Sequence, residues 1–350
     1  MMFLQSNRIS TAKRAFVTRR VETADLKLLT SEPAQAPEPG DLVLARVDFI
    51  ANHTNLELVT GRKSKMYPGD EIIIAYGNRY APDQFEAEVP PNLAPCHLVA
   101  AGGIASEALG WSSRIVKGPT EITPLGLFVG PDGRPVNLRD YALNTSPCAY
   151  RPPVYGVVGG SMNAGKTTTA LSLIRGLRAQ GLTVAAGKLT GTGSGGDLWQ
   201  MLDAGAETVL DFTDAGLATT YLAGHDAIEA AARKLIAALE GTGAPAIVVE
   251  IADGILQPET RRLISSAFLK QRISGYLYAA ESATSAAFGT DWLGGQGRVI
   301  GISGRMTCSP LAIRETGHAT GIAPWTSEEL ADGQVLVPWI EEQQAIGDLA

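Results

Sequence analysis

From Val154 to the end of the chain, hydrophobic positions follow two spacings in turn. Short unbroken apolar runs predict buried strands at 154–158, 183–187, 246–251, 275–279 and 298–302. Between them, apolar residues spaced three and four apart predict helices at 166–180, 226–240, 258–271 and 308–315. Such alternation implies a parallel sheet with helices on both faces, and ligands then sit beyond the carboxyl ends of the strands.

The first part of the chain reads differently. Between Asp41 and Val89, β-prone runs at 42–47, 56–59 and 71–76 are divided by turn signals at 60–62 and 67–70, which suggests a small β-barrel or curled sheet. Strands of mixed character are expected within 8–31, including 15–17 and 26–29. The stretch 31–40, with Pro33, Pro37 and Pro39, reads as a linker. Residues 95–110, rich in small side chains, are expected as one helix interrupted by Gly102 and Gly103. Short strands follow near 115–116, 125–129 and 138–143. A proline-rich segment at 145–153 places a boundary near residue 150. The expected organisation is a mainly β substrate- or partner-binding domain over 1–150 and an α/β nucleotide-binding domain over 151–350.

The 350 residues are 45% hydrophobic, 19% charged and include 39 glycines, which suits compact loop-rich domains and not a disordered chain. A net charge of −7 argues against a generally nucleic-acid-binding surface. The exception is the N-terminus, where Arg8, Lys13, Arg14, Arg19, Arg20 and Lys27 face only Glu22 and Asp25. It reads as a solvated basic face or a contact for an acidic partner. Three scattered cysteines, Cys96, Cys148 and Cys308, give neither a disulfide framework nor zinc spacing, and the four histidines are equally dispersed. With no apolar run of membrane-span length and no signal-peptide core, a soluble cytoplasmic protein is expected.

The specific chemistry lies where the 154–158 strand meets the next helix. The pattern G-x-x-x-x-G-K-S/T is complete from Gly160 to Thr167. Its amides at Gly160, Ser161, Asn163, Ala164, Gly165, Lys166, Thr167 and Thr168 can wrap a polyphosphate. Lys166 can reach the terminal phosphates, and the Thr167 hydroxyl can ligate magnesium. After the second strand come Lys188 and a loop of glycines and hydroxyl residues ending at Asp197. Here the lysine can neutralise charge on a transferred phosphoryl group, and the aspartate can orient water or magnesium. After the third strand stand Glu250 and Asp253, oxygen donors suited to magnesium, with Glu250 favoured because it directly ends four apolar residues. Between these strands Asp211 and Asp214 could contact substrate or metal, with helix and turn caps as the competing use; Glu281 and Arg305 fall just beyond later strands, where Arg305 is either a phosphate or carboxylate clamp or a solvated side chain. In the β region Asn78, Arg79 and Asp83 form a polar loop that is either a ligand contact or a self-tied turn. No N-K-x-D tetrad occurs, so ATP is preferred over GTP.

On the residues 160–167, Lys188 and Glu250, the second domain resembles the P-loop class of dethiobiotin synthetase, the molybdopterin-guanine-dinucleotide accessory proteins and the partitioning ATPases. It is also similar to the P-loop half of D-glutamate N-acetyltransferase-like proteins. The resemblance covers about residues 154–320. It implies that Lys188 and Glu250 take the roles of the lysine after the second strand and of the metal-side acid in dethiobiotin synthetase. Ser161 departs from the additional lysine of partitioning ATPases, and Asn163 departs from the acidic residue usual in dethiobiotin synthetase.

The leading expectation is an ATP- and magnesium-dependent enzyme that transfers the γ-phosphoryl group to a small acid, or activates that acid, with Lys166, Lys188 and Glu250 catalytic. Thr167, Glu250, Asp253 and Asp197 would arrange the metal. One alternative is a nucleotide-controlled switch or assembly ATPase whose N-terminal domain binds a protein. Another is a non-hydrolytic binder of a nucleotide-like cofactor such as coenzyme A. A homodimer is expected, and no membrane or nucleic-acid partner.

Overall fold

The computed structural model describes residues 2, 3, 6–30, 36–146 and 148–347. The chain divides into two compact units: Met1–Leu143 with Gly191–Gly196 and Phe212–Gly224, and Asn144–Thr190 with Asp197–Asp211 and His225–Ala350. The chain therefore passes from one unit to the other repeatedly, where the sequence suggested a single boundary near residue 150.

The first unit is built on a closed ring of strands. Thr120–Val129, Leu42–Phe49 and Glu71–Tyr76 pair in succession, Ile104–Trp111 follows in parallel, and Cys96–Ala100 pairs with both Ile104–Trp111 and Thr120–Val129. Val43, Ala45 and Val47 alternate with residues facing the other way and meet Ile72, Ile74, Tyr76, Leu98, Ala105, Ile122 and Leu127 inside. This is the period of two that one buried face of a strand requires.

The helix expected over 95–110 is instead an antiparallel strand pair joined by a tight turn. Gly103, at φ +103°, takes the left-handed backbone of that turn, and a Cβ there would lie 2.2 Å from Ala15 Cβ. Small side chains indicated close strand packing, not helix. Within 8–31, residues Phe16–Thr18 form a 3-10 turn and the strands are Lys13–Arg14 and Leu28–Thr30. Of the expected linker, residues 31–35 lie outside the described residues. Gly40, at its end, is packed, donating to Tyr76 O at 2.8 Å. The basic N-terminal residues are largely paired within the unit: Arg8 with Glu71, Lys13 with Asp70, and Arg19 with Asp214.

The second unit is α/β. Six parallel strands stand in the order Thr208–Asp211, Val184–Thr190, Ala246–Ile251, Val154–Gly159, Gly275–Ala279 and Val299–Ser303. Central strands are buried along their whole length, which is why they read as unbroken apolar runs. Helix Lys166–Ala179 packs Ala170, Leu173, Ile174 and Leu177 against Val157, Val184, Val248 and Leu277. The edge strand Thr208–Asp211 and the helices Gly196–Asp203 and Ala283–Gly294 carry too short or too even an apolar pattern for sequence reading to find them. The single helix expected at 258–271 is two, Pro258–Ile264 and Ala267–Arg272. They are separated at Ser265 and Ser266, with Ser266 capping the second through Leu269 N. Among the described residues no helix is long and apolar enough to cross a membrane.

Candidate functional site

The Val154–Gly159 strand ends at a loop whose shape leaves no room for side chains at its glycines. A Cβ on Gly160 would lie 2.4 Å from Ser285 Oγ, and one on Gly254 would lie 2.3 Å from Gly160 O. Gly165, at φ +99°, turns the chain into helix Lys166–Ala179. The loop is braced from behind, since Arg305 N donates to Ala164 O at 3.0 Å and Ile255 N to Gly159 O at 3.0 Å. Two of the loop amides are engaged, Gly160 N donating to Ala279 O at 3.2 Å and Ala164 N to Ser161 O at 3.3 Å, and the helix that begins at Lys166 turns the positive end of its dipole toward the loop.

Lys166 is 3% exposed, and its Nζ donates to Ser161 O at 2.6 Å and Met162 O at 3.3 Å. Burial pushes its pKa down, while Glu250 and Asp253 pull it up. Ser161 Oγ donates to Glu281, whose second oxygen accepts from Ser285 Oγ at 3.0 Å. Glu281 is thus joined directly to the loop. Its position just after an apolar strand was the available signal, but nothing in the sequence separated it from a solvated acid. Asn163 and Thr168 are exposed. Thr168 borders a cleft of about 730 Å³ with Leu171, Arg175, Asp203 and Asp332.

The remaining residues come from strands beside the loop. In the parallel register Val157 stands opposite Glu250, Glu250 opposite Lys188, and Lys188 opposite Asp211, so one row crosses four strands near their carboxyl ends. Lys188 was expected after its strand; the strand in fact continues to Thr190, with an irregularity between Lys188 and Thr190. Such a bulge re-aims side chains at the rim of a sheet.

Thr167 Oγ1 lies 3.3 Å from Glu250 Oε1 and 3.4 Å from Asp197 Oδ1. Lys188 Nζ is ion-paired to the other Asp197 oxygen. Burial works against ionising Asp197, yet Lys188 outweighs it and holds the carboxyl below its usual range. Lys188 is correspondingly raised by Asp197 and Glu250 against its burial. Glu250, 2% exposed, is pushed upward by burial and by Asp197 despite both lysines, and its Oε2 is buried without a hydrogen-bond partner. Asp253 is also pushed upward by burial. It holds φ +65°, a left-handed conformation that costs a non-glycine residue about 1 kcal/mol. The structure therefore brings Thr167, Lys166, Lys188, Asp197 and Glu250 together around one point, with Asp253 on the adjoining turn.

This donor set suits a hard, hydrated cation such as magnesium, because it offers a hydroxyl and two carboxylates and no soft ligand. The orphaned Glu250 Oε2 is the observation that such an ion or its water would satisfy. Among the described residues there is no cluster of three or more His, Cys, Asp or Glu able to hold a metal by themselves. A magnesium ion here would need phosphate or water to complete its shell.

Other polar residues singled out from sequence have different surroundings. In the glycine-rich stretch, Gly195 N and Ser194 Oγ donate to Glu57 at 2.9 and 3.1 Å, and Gly193 N donates to Ala218 O at 3.0 Å. These donors are already engaged within the first unit. Asp214 accepts from Arg19 at 2.6 Å. Asn78 ties its own turn, accepting from Val89 N at 2.8 Å. Arg305 is exposed.

No protein family model matches the chain. No curated protein matches it either. Among solved structures it is similar to the signal recognition particle receptor FtsY of Elizabethkingia anophelis in complex with GDP, at 14% identity over 56% of this chain and 67% of that chain, with a TM-score of 0.36. It is also similar to the signal recognition particle 54 kDa protein of Aeropyrum pernix in complex with GDP, at 16% identity over 57% of this chain and a TM-score of 0.36. The match spans 50% of that protein's own length. A third is the cell division protein FtsY of Thermotoga maritima, at 16% identity over 57% of this chain and 73% of that chain, with a TM-score of 0.33.

Proposed function

We propose that the second unit binds ATP with magnesium and transfers its γ-phosphoryl group, with a small acid as the acceptor. The observation that carries this reading is the convergence of Thr167 Oγ1, Asp197 and Glu250, flanked by Lys166 and Lys188, at the mouth of the phosphate loop. In this reading the loop amides hold the β- and γ-phosphates, and Lys166 exchanges its carbonyl contacts on Ser161 and Met162 for phosphate oxygens. Lys188 stabilises the charge that grows on the transferred group, and Asp197 keeps that lysine in place. Thr167, Glu250 and Asp197 hold magnesium, directly or through water; when bound it neutralises phosphate charge and aligns the oxygens. The chain's contribution is positioning and electrostatics. The wider P-loop class that the motif resembles belongs to this proposal, as does the homodimer.

A second reading, a nucleotide-controlled switch, draws on chain continuity. Gly191–Gly196 and Phe212–Gly224 leave the strands carrying Lys188 and Asp211 and belong to the first unit. Rearrangement at Asp197 would pull on the first of these segments.

The test is magnesium-dependent hydrolysis of ATP and of GTP by wild type and Lys166→Ala, with and without a panel of small carboxylic acids. Stimulation by one acid, lost in Lys166→Ala, supports the transferase reading. Turnover indifferent to every acid moves the switch reading forward. Equal turnover by wild type and variant overturns both.

A further inference from the structure

The second unit has another concavity, at the end of its sheet away from the phosphate loop. A cavity of about 380 Å³ is lined by Arg151, Arg233, Phe268, Gln271 and Arg272. Arg151 and Arg272 stand just before the strands Val154–Gly159 and Gly275–Ala279, so the cavity lies beside the amino ends of strands whose carboxyl ends adjoin the loop. A strand rises about 3.3 Å per residue, which puts roughly 15 Å or more of sheet between the two places. One small ligand cannot occupy both.

Three guanidinium groups and no carboxylate line this cavity. Two of them are fixed from behind by one acid: Glu240, 1% exposed, accepts from Arg151 Nη1 through one oxygen and from Arg272 Nε at 2.5 Å through the other. Arg272 Nη2 also donates to Pro152 O at 2.8 Å. Arg233, on helix His225–Glu240, donates to Glu229 Oε1 from Nε at 2.9 Å and from Nη2 at 2.5 Å, and its Cζ lies 4.2 Å from the centre of the Phe268 ring. A guanidinium offers five N–H donors. The nitrogens that these contacts leave over are Nε and Nη2 of Arg151 and Nη1 of both Arg233 and Arg272.

Glu240 and Glu229 set two negative charges against three cations, and neither acid lines the cavity. The local excess is positive in a chain whose net charge is −7. A concave wall of one sign concentrates its field on the space it encloses and draws in the opposite charge. The wall is also preorganised, because Glu240, Glu229 and Phe268 hold the planar forks before any ligand arrives, and little side-chain freedom is lost on binding. A phosphate group matches three arginines better than a carboxylate does: it has three terminal oxygens to share among them, where a carboxylate has two. We propose that Arg151, Arg233 and Arg272 form a second anion site, at the amino edge of the sheet, for the phosphate group of a small phosphate monoester.

The test is calorimetric titration of the full chain without nucleotide, using glycerol 3-phosphate and, as an anion with carboxylates only, malonate. It is made on Lys166→Ala as well as wild type, which separates this site from the phosphate loop and makes the result independent of what the loop binds. Glycerol 3-phosphate should bind Lys166→Ala, and about tenfold more tightly than malonate does. Arg233→Gln or Arg151→Gln, each placed in the Lys166→Ala chain, should weaken that binding about tenfold or more. Both side chains are more than half exposed, so both variants should fold, and either one suffices for the comparison. If glycerol 3-phosphate does not bind Lys166→Ala, the three arginines are only solvated and the proposal falls. Binding undiminished in a folded Arg233→Gln and Arg151→Gln overturns it, and so does malonate binding as tightly as glycerol 3-phosphate.

Discussion

Lys188 and Glu250 stand opposite each other on adjacent parallel strands, yet the lysine pairs with Asp197 and leaves one Glu250 oxygen unbonded. A buried carboxylate in that position destabilises the fold by itself. Glu250→Gln should therefore raise the melting temperature, by about 1 kcal/mol or more of stability. The same change should lower magnesium-dependent nucleotide turnover about 100-fold. Calorimetry and turnover on one preparation read both effects. A variant that is less stable and fully active would make Glu250 a structural residue.

Lys188→Met tests the other side of the pair. It leaves Asp197 without its counter-charge and next to Glu250, at an expected cost of about 3 kcal/mol near neutral pH. In the wild type the Asp197 pKa is depressed, so its stabilisation is present above the ordinary carboxylate range and fades as pH falls through the folded value. The gap between wild type and variant should accordingly narrow below about pH 4. Urea denaturation at pH 7 and at pH 3.5 measures it, and a gap that does not change with pH would remove the ion pair as its cause.

Much of this arrangement was legible in the chain. A phosphate loop needs a fixed order of glycines, lysine and hydroxyl, and Gly160 to Thr167 supply it locally. The place of Lys188 and Glu250 at the carboxyl side of the sheet is legible because an ionised residue at the end of an apolar run is conspicuous, and the two stand opposite each other on adjacent strands. What the sequence could not resolve depends on distant partners. Glu281 becomes informative only when Ser161, far away in sequence, is seen to donate to it. The glycines after Lys188 read as a flexible polar loop, but the use of Gly193 is packing: a Cβ on it would lie 2.4 Å from Val17 Cγ1 and 2.7 Å from Ala218 O. The 95–110 stretch was read by composition, and its small residues serve strand approach as well as they serve helix. Arg79 was noticed as polar, but its burial, which leaves Nε and Nη1 without hydrogen-bond partners, is a property that no local pattern encodes.

His53 gives the first unit a defined response to acid. Its folded pKa, down to about 4, lies below the ordinary value near 6.5, so the folded state resists a proton that the unfolded chain accepts. The stabilisation from a neutral ring is complete above about pH 6.5 and is lost as pH falls toward 4, at up to about 1.4 kcal/mol per unit. His53→Gln cannot titrate, so its stability should fall less steeply between pH 6.5 and 4.5. Denaturation curves for both proteins across that interval decide the matter; parallel slopes would show that the ring is protonated in the folded state.

Glu240 provides a test of what holds the second unit together away from the site. It ends helix His225–Glu240, is 1% exposed, and pairs with Arg151 and with Arg272, the latter at 2.5 Å. Arg272 also donates to Pro152 O at 2.8 Å, so this carboxylate links the end of one helix to the end of another and to the segment entering the phosphate-loop strand. The two arginines are not equivalent, since the Arg151 side chain is 62% exposed and that of Arg272 is 13% exposed. Removing the acid strands a buried cation, and Glu240→Ala should cost about 3–5 kcal/mol. Removing the solvated partner leaves the inner pair intact, and Arg151→Ala should cost about 1 kcal/mol or less. Glu240→Gln keeps the shape and some hydrogen bonding without the charge, so it should fall between them. Urea midpoints for the three variants give the order directly. If Arg151→Ala is as damaging as Glu240→Ala, the outer arginine is the one that matters and the inner pair contributes little.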